Sequence, residues 1–539
     1  MAGPGMLYVT MQPQPGLSLD QFHEWYNNEH GPTRLRLPHI FANGLRYQAT
    51  DGLEPTFLAI YDVTSMSHLE TSTYTCLREN RSEREAQTIG QVDVKRSFLD
   101  LVHSDAAESF VPVEQLTNEE AEGTVLVSVE ATFTDAPDAE KEAMKWYLEE
   151  HIPMMSKVPG YMRTRIFRTS SIDAGGKLKL VSMYEFSKKN GLGGPEQKAA
   201  MSTPWRTEVF SKYFDQKVKR AYTLFYVFGP GPRDLSSLSK LPGSAAFTDG
   251  HTSTTPGQSP VITSAIAAAD GLTIPYRLEG NTSPNAPTVA FCNSLLTSLN
   301  MWDPLIALLK EHRPEFKILR YDTRGRHEIP SPPKPATLDI VSDDISTLLS
   351  ALRIDRLHAL VGVSMGGATT LKFALKYPSK LDRFVACDFN AVSSEANTKA
   401  WKDRTAVAES TSEDGTPGIQ TLAGQTVERW FHPHTMAEKK DTVAWMTEIV
   451  AQNNVEGFRY GCQALWDYDL KEEMKTCKVS GLFVVGEGDA KGALVKAMDG
   501  FKGQVGAQGG VELKIVPLAG HLPMCESPKE FFDAIREFL

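Results

Sequence analysis

An eight-residue sequence that occurs twice is the strongest constraint on what the first part of the chain can fold into. Residues 25–32 read Trp-Tyr-Asn-Asn-Glu-His-Gly-Pro and residues 146–153 read Trp-Tyr-Leu-Glu-Glu-His-Ile-Pro, an offset of 121. Each copy follows an alternating apolar stretch that is typical of a strand, and two further stretches of this kind come after it. The repeat therefore predicts two β-α-β-β halves, at about residues 6–110 and 123–228.

Two such halves can close their sheets against each other into a barrel, which removes exposed strand edges. The pattern resembles the EthD-like members of the dimeric α+β barrel superfamily, whose halves carry a W-Y-x-x-E-H-x-P-type helix end. The resemblance implies a tandem ferredoxin-like α+β domain over residues 1–228. It leaves the reaction open, because members isomerise, decarboxylate or oxygenate aromatic or polyketide substrates. His30 and His151 are the candidates for a second site, either as proton carriers or as helix caps.

The composition changes sharply after this region. Of the 32 residues in the segment 229–260, 20 are Gly, Pro, Ser or Thr, and no apolar periodicity is visible. This composition predicts a flexible linker. A chain of 539 residues also exceeds the ~150 residues of one typical domain. We therefore expect a second domain over residues 261–539.

In this second part, short β-branched strands alternate with helices, as in a mostly parallel sheet. Residues 362–367 read Gly-Val-Ser-Met-Gly-Gly, a G-x-S-x-G sequence between a strand and a helix, which makes Ser364 a candidate nucleophile. Asp489 and His521 each follow a later strand, in the chain order of an α/β hydrolase. The chemistry needs all three, because imidazole must activate the hydroxyl and a carboxylate must orient the imidazole. Glu487 is the alternative acid.

Further motifs narrow the resemblance. Residues 293–304 and 320–325, together with the serine motif and the cap region at about 390–477, look like the 3-oxoadipate enol-lactonase branch of α/β hydrolases. The resemblance implies an oxyanion hole formed by the backbone N–H groups of Leu295 and Met365. The residues for which the resemblance and the residue types suggest substrate contact are Asn293, Trp401, Arg404, Arg429 and Trp430.

Two departures from that branch lie near the expected mouth of the pocket. Leu296 stands where the family usually has glycine, and residues 326–329, Arg-His-Glu-Ile, replace a His-Gly pair. The substrate is therefore expected to differ from the small enol-lactone of aromatic catabolism. Four tryptophans of the cap indicate a larger or flatter substrate or serve to pack the cap helices on the core: Trp401, Trp430, Trp445 and Trp466. We expect a serine hydrolase that cleaves a lactone or ester of an aromatic or polyketide-like secondary metabolite through an acyl-enzyme.

Alternatives stay open at this point. The protein could be bifunctional, with the barrel isomerising, decarboxylating or cyclising the substrate. The hydrolase fold could also perform non-hydrolytic chemistry, with the barrel as an assembly module.

Composition limits the partners. The net charge of −11 disfavours nucleic acid, and no segment is apolar enough to span a membrane. The six cysteines form no CxxC pair, and the sequence contains no metal constellation, phosphate loop or dinucleotide fingerprint. We therefore expect a cytoplasmic enzyme with a small-molecule substrate, no cofactor and no metal; a homodimer is left open.

Overall fold

The computed structural model describes residues 3–173, 177–506 and 509–539. The chain divides into two compact units, Met1–Pro230 and Gly231–Leu539. Each unit has hydrophobic cores of its own. Within the described ranges, no helix combines the length and the apolar character needed to cross a membrane.

Eight antiparallel strands form a closed barrel in the first unit, in the order β1-β3-β2-β8-β5-β7-β6-β4. The strands are β1 (Gly5–Pro13), β2 (Leu45–Ala49), β3 (Phe57–Val63), β4 (Val92–Ala106), β5 (Val125–Phe133), β6 (Tyr161–Thr169), β7 (Lys179–Phe186) and β8 (Phe214–Val227). The two halves join where β8 pairs with β2 and where β4 pairs with β6. Each half thus supplies four strands, one more than the repeat predicts, and the fourth strand makes the join.

The barrel strands are buried on both faces, because alternate side chains enter different cores. In β1, Leu7 and Val9 belong to the core beneath the helices, whereas Met6 and Tyr8 join residues from all eight strands in the barrel interior. The helices of this unit are α1 (Leu19–Trp25), α2 (Gly31–Leu35), α3 (Ser72–Glu79), α4 (Glu83–Ile89), α5 (Asn118–Ala121), α6 (Ala139–Trp146), α7 (Ile152–Met155), α8 (Pro195–Ala200) and α9 (Pro204–Lys212).

Both copies of the repeated motif interrupt their helices in the same way. The segments Tyr26–His30 and Tyr147–His151 are single π-helical turns. A π turn inserts an extra residue into the helix, which rotates the side chains that follow it. The two repeated histidines therefore occupy the same local backbone position.

A ten-stranded sheet, in the order β18-β17-β16-β15-β13-β14-β12-β11-β10-β9, is the frame of the second unit. The strands are β9 (Phe247–Thr248), β10 (Ser253–Thr255), β11 (Val261–Ala267), β12 (Thr273–Gly280), β13 (Thr288–Cys292), β14 (Lys317–Tyr321), β15 (Leu357–Val363), β16 (Leu381–Cys387), β17 (Ser480–Gly486) and β18 (Glu512–Val516). The six strands from β13 to β18 are mutually parallel. Their carboxyl ends consequently meet at one edge, where ligands bind in sheets of this type.

The helices of the second unit fill the connections of the sheet. They are α10 (Leu235–Ser239), α11 (Asp303–His312), α12 (Leu338–Ala351), α13 (Met365–Lys376), α14 (Glu395–Glu409), α15 (Gly418–Trp430), α16 (Pro433–Glu438), α17 (Lys440–Ala451), α18 (Val455–Cys462), α19 (Ala493–Lys502), α20 (Pro523–Glu526) and α21 (Pro528–Ile535). Five of them, α14 to α18, lie in the chain between β16 and β17, the region for which the sequence predicts a cap.

The predicted linker at 229–260 is folded, which corrects the sequence-based expectation. From Gly231 onward it belongs to the second unit, where β10 pairs with β11 and β9 pairs with β10. Leu235 and Leu238 are buried in the core of this unit, and α10 begins at an Asp234 side chain that accepts the backbone N–H of Ser237. Two buried leucines are enough to anchor a segment whose average composition suggests disorder.

Candidate active site

Ser364 sits in a sharp turn between β15 and α13. Its φ of 60° and ψ of −119° lie outside the regions that serine prefers, a strain that costs about 1–3 kcal/mol and concentrates at functional sites. Glycine is required on both sides. A β-carbon on Gly362 would collide with the carbonyl oxygen of Gly366, and one on Gly366 would collide with the carbonyl oxygen of Cys292. The turn therefore places Ser364, partly exposed, at the carboxyl edge of the sheet.

Asp489 and His521 form a hydrogen-bonded pair at the same edge. Asp489 follows β17, His521 follows β18, and the His521 Nδ1 atom lies 2.7 Å from Asp489 Oδ2. Because a carboxylate only accepts, the proton of the neutral imidazole is assigned to Nδ1, which leaves Nε2 as the basic nitrogen. The backbone holds the pair in place, since the His521 N–H donates to the Trp430 carbonyl at 2.7 Å.

The alternative acid, Glu487, does not form the hydrogen bond to His521 that Asp489 forms. Its side chain is exposed and its Oε2 accepts the backbone N–H of Leu518 at 3.2 Å. Of the two acids offered by the sequence, the structure brings Asp489 to His521. Ser364 lies past β15, and β16 alone separates β15 from β17 in the sheet.

A third acid, Asp388, lies beside this pair and was missed by the sequence analysis. It follows β16 with a φ of 47°, is 1% exposed, and accepts the Gly486 backbone N–H at 2.9 Å. Burial and the neighbouring Asp489 carboxylate hold the pKa of Asp388 well above its usual range. Both effects favour the protonated, uncharged form of Asp388.

Asp388, Asp489 and His521 each place a potential ligand atom within 4.8 Å of the others. Burial disfavours the charged form of Asp388, and Asp489 engages one nitrogen of His521, so the chemistry of this cluster favours a hydrogen-bond network over a metal site. The sequence signal for Asp388 is the same as that for Asp489, an acid that closely follows an apolar strand.

Glu526 is a second residue that the sequence analysis missed. It is fully buried and gathers backbone N–H groups around the histidine loop, from Gly520 at 2.9 Å, Leu522 at 3.3 Å and His432 at 2.7 Å. Burial raises its pKa to about 7, against the lowering effect of these hydrogen bonds. Since Gly520 and Leu522 flank His521, Glu526 fixes the backbone that carries the base.

The loop after β13 packs on the first turn of α13. Leu296 adopts a φ of 71°, and a β-carbon on Gly366 would lie 2.6 Å from the Asn293 carbonyl oxygen. Leu295 and Met365, the residues predicted to supply the oxyanion hole, belong to these two adjoining segments and are both buried.

The Asn293 side chain has a structural role, in contrast to the substrate contact suggested by the sequence. Its amide donates to the Tyr321 carbonyl at 2.9 Å and accepts the Trp302 indole N–H at 2.8 Å. The residue is 0% exposed. These bonds use the polar groups of Asn293 to hold the loop.

The two departures from the enol-lactonase pattern contact each other. The buried Arg326 guanidinium donates to the Leu296 carbonyl at 3.2 Å and to the Ile449 carbonyl at 2.9 Å. The Asn453 amide also donates to the Leu296 carbonyl, at 2.7 Å. Arg326 therefore joins the loop after β13 to helix α17, so the two changes form one local arrangement.

The region between β16 and β17 brings one predicted aromatic residue to the base. The Trp430 ring stacks on the His521 ring, with centroids 5.5 Å apart and an angle of 30°. Trp401 is buried on α14 and lies beneath the Arg404 guanidinium, 4.5 Å from the ring centroid. Among the described contacts, Trp430 reaches His521 and Trp401 does not.

Arg404 and Arg429 are close enough to repel each other electrostatically. Burial lowers the pKa of both, and the charge of Arg404 contributes to bringing that of Arg429 to about 10. Within the described residues, neither guanidinium forms an ion pair with a carboxylate of the protein. Two neighbouring cations that form no ion pair within the described chain can receive a substrate anion.

A strained serine turn at the carboxyl edge of a parallel sheet, with an aspartate–histidine pair carried by later strands at the same edge, is the arrangement of an α/β hydrolase. The alpha/beta hydrolase fold family matches residues 287–526. 3-Oxoadipate enol-lactonase 2 of Acinetobacter baylyi is 30% identical over 204 residues, which cover 38% of this chain and 72% of that protein. The chain therefore belongs to the alpha/beta hydrolase fold family.

Two further comparisons each cover about half of the chain. 3-Oxoadipate enol-lactonase 1 of the same organism is 27% identical over 275 residues, 51% of this chain and 96% of that protein. The crystal structure of the enol-lactonase from Burkholderia xenovorans LB400 is 29% identical, covers 51% of this chain and 98% of its own, and has a TM-score of 0.44. The EthD-like resemblance of the first unit stays a prediction.

Proposed function

We propose that the second unit hydrolyses a lactone or ester through an acyl-enzyme on Ser364. The observation that carries the proposal is the 2.7 Å bond between Asp489 and His521, formed at the sheet edge to which the strained Ser364 turn also belongs. The enol-lactonase relatives, which match most of this unit, favour a lactone among the possible esters.

In the proposed mechanism, His521 Nε2 removes the Ser364 hydroxyl proton as the oxygen attacks the carbonyl carbon of the substrate. Asp489 keeps the other imidazole proton on Nδ1 and stabilises the imidazolium that forms. The backbone N–H groups of Leu295 and Met365 donate to the oxyanion, where each donor contributes roughly 10²–10³ in rate. The imidazolium then protonates the leaving alkoxide or enolate oxygen, and water activated by the same nitrogen releases the acid.

The cap residues support an aromatic or polyketide-like substrate that carries a carboxylate. Trp430 offers an apolar face next to the base, while Arg404 and Arg429 offer positive charge that no ion pair of the described residues takes up. Leu296 and Arg326 reshape the loop where the relatives' pattern has glycine. We therefore expect a substrate larger than 3-oxoadipate enol-lactone.

The mechanism is tested with a fluorophosphonate probe and intact-protein mass spectrometry, together with turnover of a panel of aromatic lactones. The wild-type protein is expected to gain one probe adduct, and Ser364→Ala is expected to gain none and to lose turnover by at least about 10³-fold. Ser350→Ala, on the exposed surface of α12, is the matched control and should behave as wild type. Labelling or turnover of Ser364→Ala at the wild-type level would contradict the proposal.

A second experiment tests the substrate charge. Arg429→Gln is expected to raise KM about tenfold or more for a lactone that carries a carboxylate, because one charge-assisted contact is lost. The KM for the methyl ester of the same lactone should stay unchanged. An equal rise for both compounds would show that Arg429 shapes the pocket without recognising charge.

A further inference from the structure

The second half of the barrel unit encloses a cavity of about 300 Å³ that the proposed hydrolase chemistry does not use. It lies between the outer face of strands β5, β7 and β8 and the helical layer α6 to α9. The residues that give it its chemical character are Trp146, Tyr147, His151, Tyr184, Arg206 and Phe210. A ligand site commonly combines aromatic walls with a few convergent polar groups in this way.

His151 is the polar group at the centre of the cavity wall. It is 5% exposed, its ring stacks on Trp146 with centroids 4.4 Å apart, and it meets the Tyr184 ring edge-on at 5.7 Å. Burial and the charge of Arg206 lower its pKa to about 4, so the imidazole is neutral at neutral pH. The Nδ1 atom of His151 is itself buried and has no hydrogen-bond partner among the described residues.

The cavity is positively charged. Among its described lining residues, Arg206, Lys217 and Lys219 are cationic and none is acidic. The Arg206 guanidinium packs over the Phe210 ring at 4.1 Å and forms no ion pair with a described carboxylate. The cavity is also lined by Tyr147, whose hydroxyl donates to Ser182 at 3.2 Å.

The first half of the unit shows that the fold does not require this cavity. There His30 Nδ1 is bonded to Glu85 at 2.9 Å, so the repeated histidine has a protein partner. Phe228 fills the space beside it, stacking on Tyr26 and on Tyr61 with ring centroids 5.6 and 5.9 Å apart.

Gly31 makes room for the Phe228 ring, because a β-carbon there would collide with it. The second half has Ile152 at the position of Gly31. The two copies of the motif thus differ in two features that matter for binding. The first copy has a filled space and a histidine that is hydrogen-bonded to Glu85, whereas the second has an open cavity and a histidine whose Nδ1 has no partner among the described residues.

We propose that the cavity of the second half binds a small aromatic acid with a hydroxyl group on its ring. The aromatic ring packs against the wall formed by Tyr184 and Phe210, the carboxylate lies toward Arg206, and the hydroxyl contacts the His151 imidazole. A volume of about 300 Å³ is at the lower end for ligand pockets, which suits one or two fused rings. This site belongs to the first unit and does not depend on the hydrolase assignment.

Isothermal titration calorimetry of the full-length protein tests the site, with 2-hydroxybenzoate and 1-hydroxy-2-naphthoate as probes. Wild type is expected to bind at least one of them. Arg206→Gln and His151→Phe are each expected to weaken that binding about tenfold or more, the loss of roughly one good polar contact. Lys198→Gln, an exposed cation on α8 outside the cavity, is the matched control and should keep the wild-type Kd.

A probe without the hydroxyl separates recognition by His151 from simple packing. For 2-naphthoate, the affinity should fall in Arg206→Gln and stay near wild type in His151→Phe, which keeps an aromatic ring against Trp146. Met201→Trp, which fills the cavity as Phe228 fills the first half, should abolish binding of all three compounds. Absence of binding to the wild-type protein, or equal affinity in Arg206→Gln and wild type, would overturn the proposal. Arg206 is partly exposed, so its variant remains informative should the cavity-filling variant not fold.

Discussion

The buried carboxyl of Glu526 should make the stability of the second unit depend on pH. The folded protein raises its pKa from 4.5 to about 7, so the folded state binds this proton more tightly than the unfolded state does. The stability associated with the proton is therefore complete below about pH 4.5 and is lost as the pH rises through about 7. A difference of about 2.5 in pKa, at about 1.4 kcal/mol for each pKa unit, amounts to about 3 kcal/mol.

Glu526→Gln removes this titration and keeps a side chain of the same size that can accept from Gly520 and Leu522. The free energy of unfolding of wild type, measured relative to this variant, is expected to fall by about 3 kcal/mol between about pH 4 and about pH 9. Urea titrations read by hydrogen–deuterium exchange of peptides from residues 287–526 report this unit separately from the barrel. Glu487→Gln, which removes an exposed carboxyl with one backbone partner, is the control and should retain the wild-type pH dependence.

The direction of the change decides whether the reasoning is right. If burial dominates, the advantage of wild type over Glu526→Gln shrinks with rising pH. If the three backbone N–H groups dominate, the carboxylate is the favoured form, and the advantage of wild type grows with rising pH. A flat or rising difference would therefore refute the assignment of Glu526 as a group that is neutral in weakly acidic solution.

Three further outcomes follow from close contacts and buried groups. Gly366→Ala should lower lactone turnover by about 10²-fold by displacing the oxyanion loop, while Gly500→Ala, where a β-carbon meets nothing within 4 Å, should be neutral in the same kinetic assay. Asp388→Asn should leave turnover within about threefold, because asparagine has nearly the same size and the raised pKa of Asp388 favours the uncharged form. Asp388→Ala should cost about 1–3 kcal/mol in urea unfolding by stranding the Gly486 backbone N–H. Leu238→Ala should destabilise the second unit by about 2–5 kcal/mol, and an unchanged unfolding midpoint would indicate that the segment is a linker after all.

The parts of the candidate site that the sequence predicted are those that follow strand ends. Ser364, Asp489 and His521 were identifiable because a glycine-flanked serine and the order of acid and base are local signals. The parallel sheet followed from the same short apolar strands, and the barrel was indicated by the repeat. The fourth strand of each half, β4 or β8, is harder to predict from the sequence, because no motif accompanies its residues.

The residues that were missed act through partners distant in sequence. Asp388 matters because Gly486 and Asp489 lie beside it, and Glu526 matters because three backbone N–H groups converge on it. Neither set of contacts joins residues at a fixed spacing along the sequence. The segment 229–260 was assigned as a linker because composition averages over 32 residues, whereas two buried leucines decide its structure. Asn293 was assigned to substrate because a residue type does not reveal which of its hydrogen bonds the fold already uses.

The joins between the two barrel halves have a consequence for the evolution of this unit. Strands β8 and β4 each reach across to the other half, so neither half closes its sheet alone. In a dimer of identical half-chains, a mutation that filled one cavity would fill both. Here the halves are encoded separately in one chain, so Phe228 and Glu85 could occupy the first histidine site while the second stayed open. Covalent duplication thus allows one copy to specialise in stability and the other to keep a binding cavity.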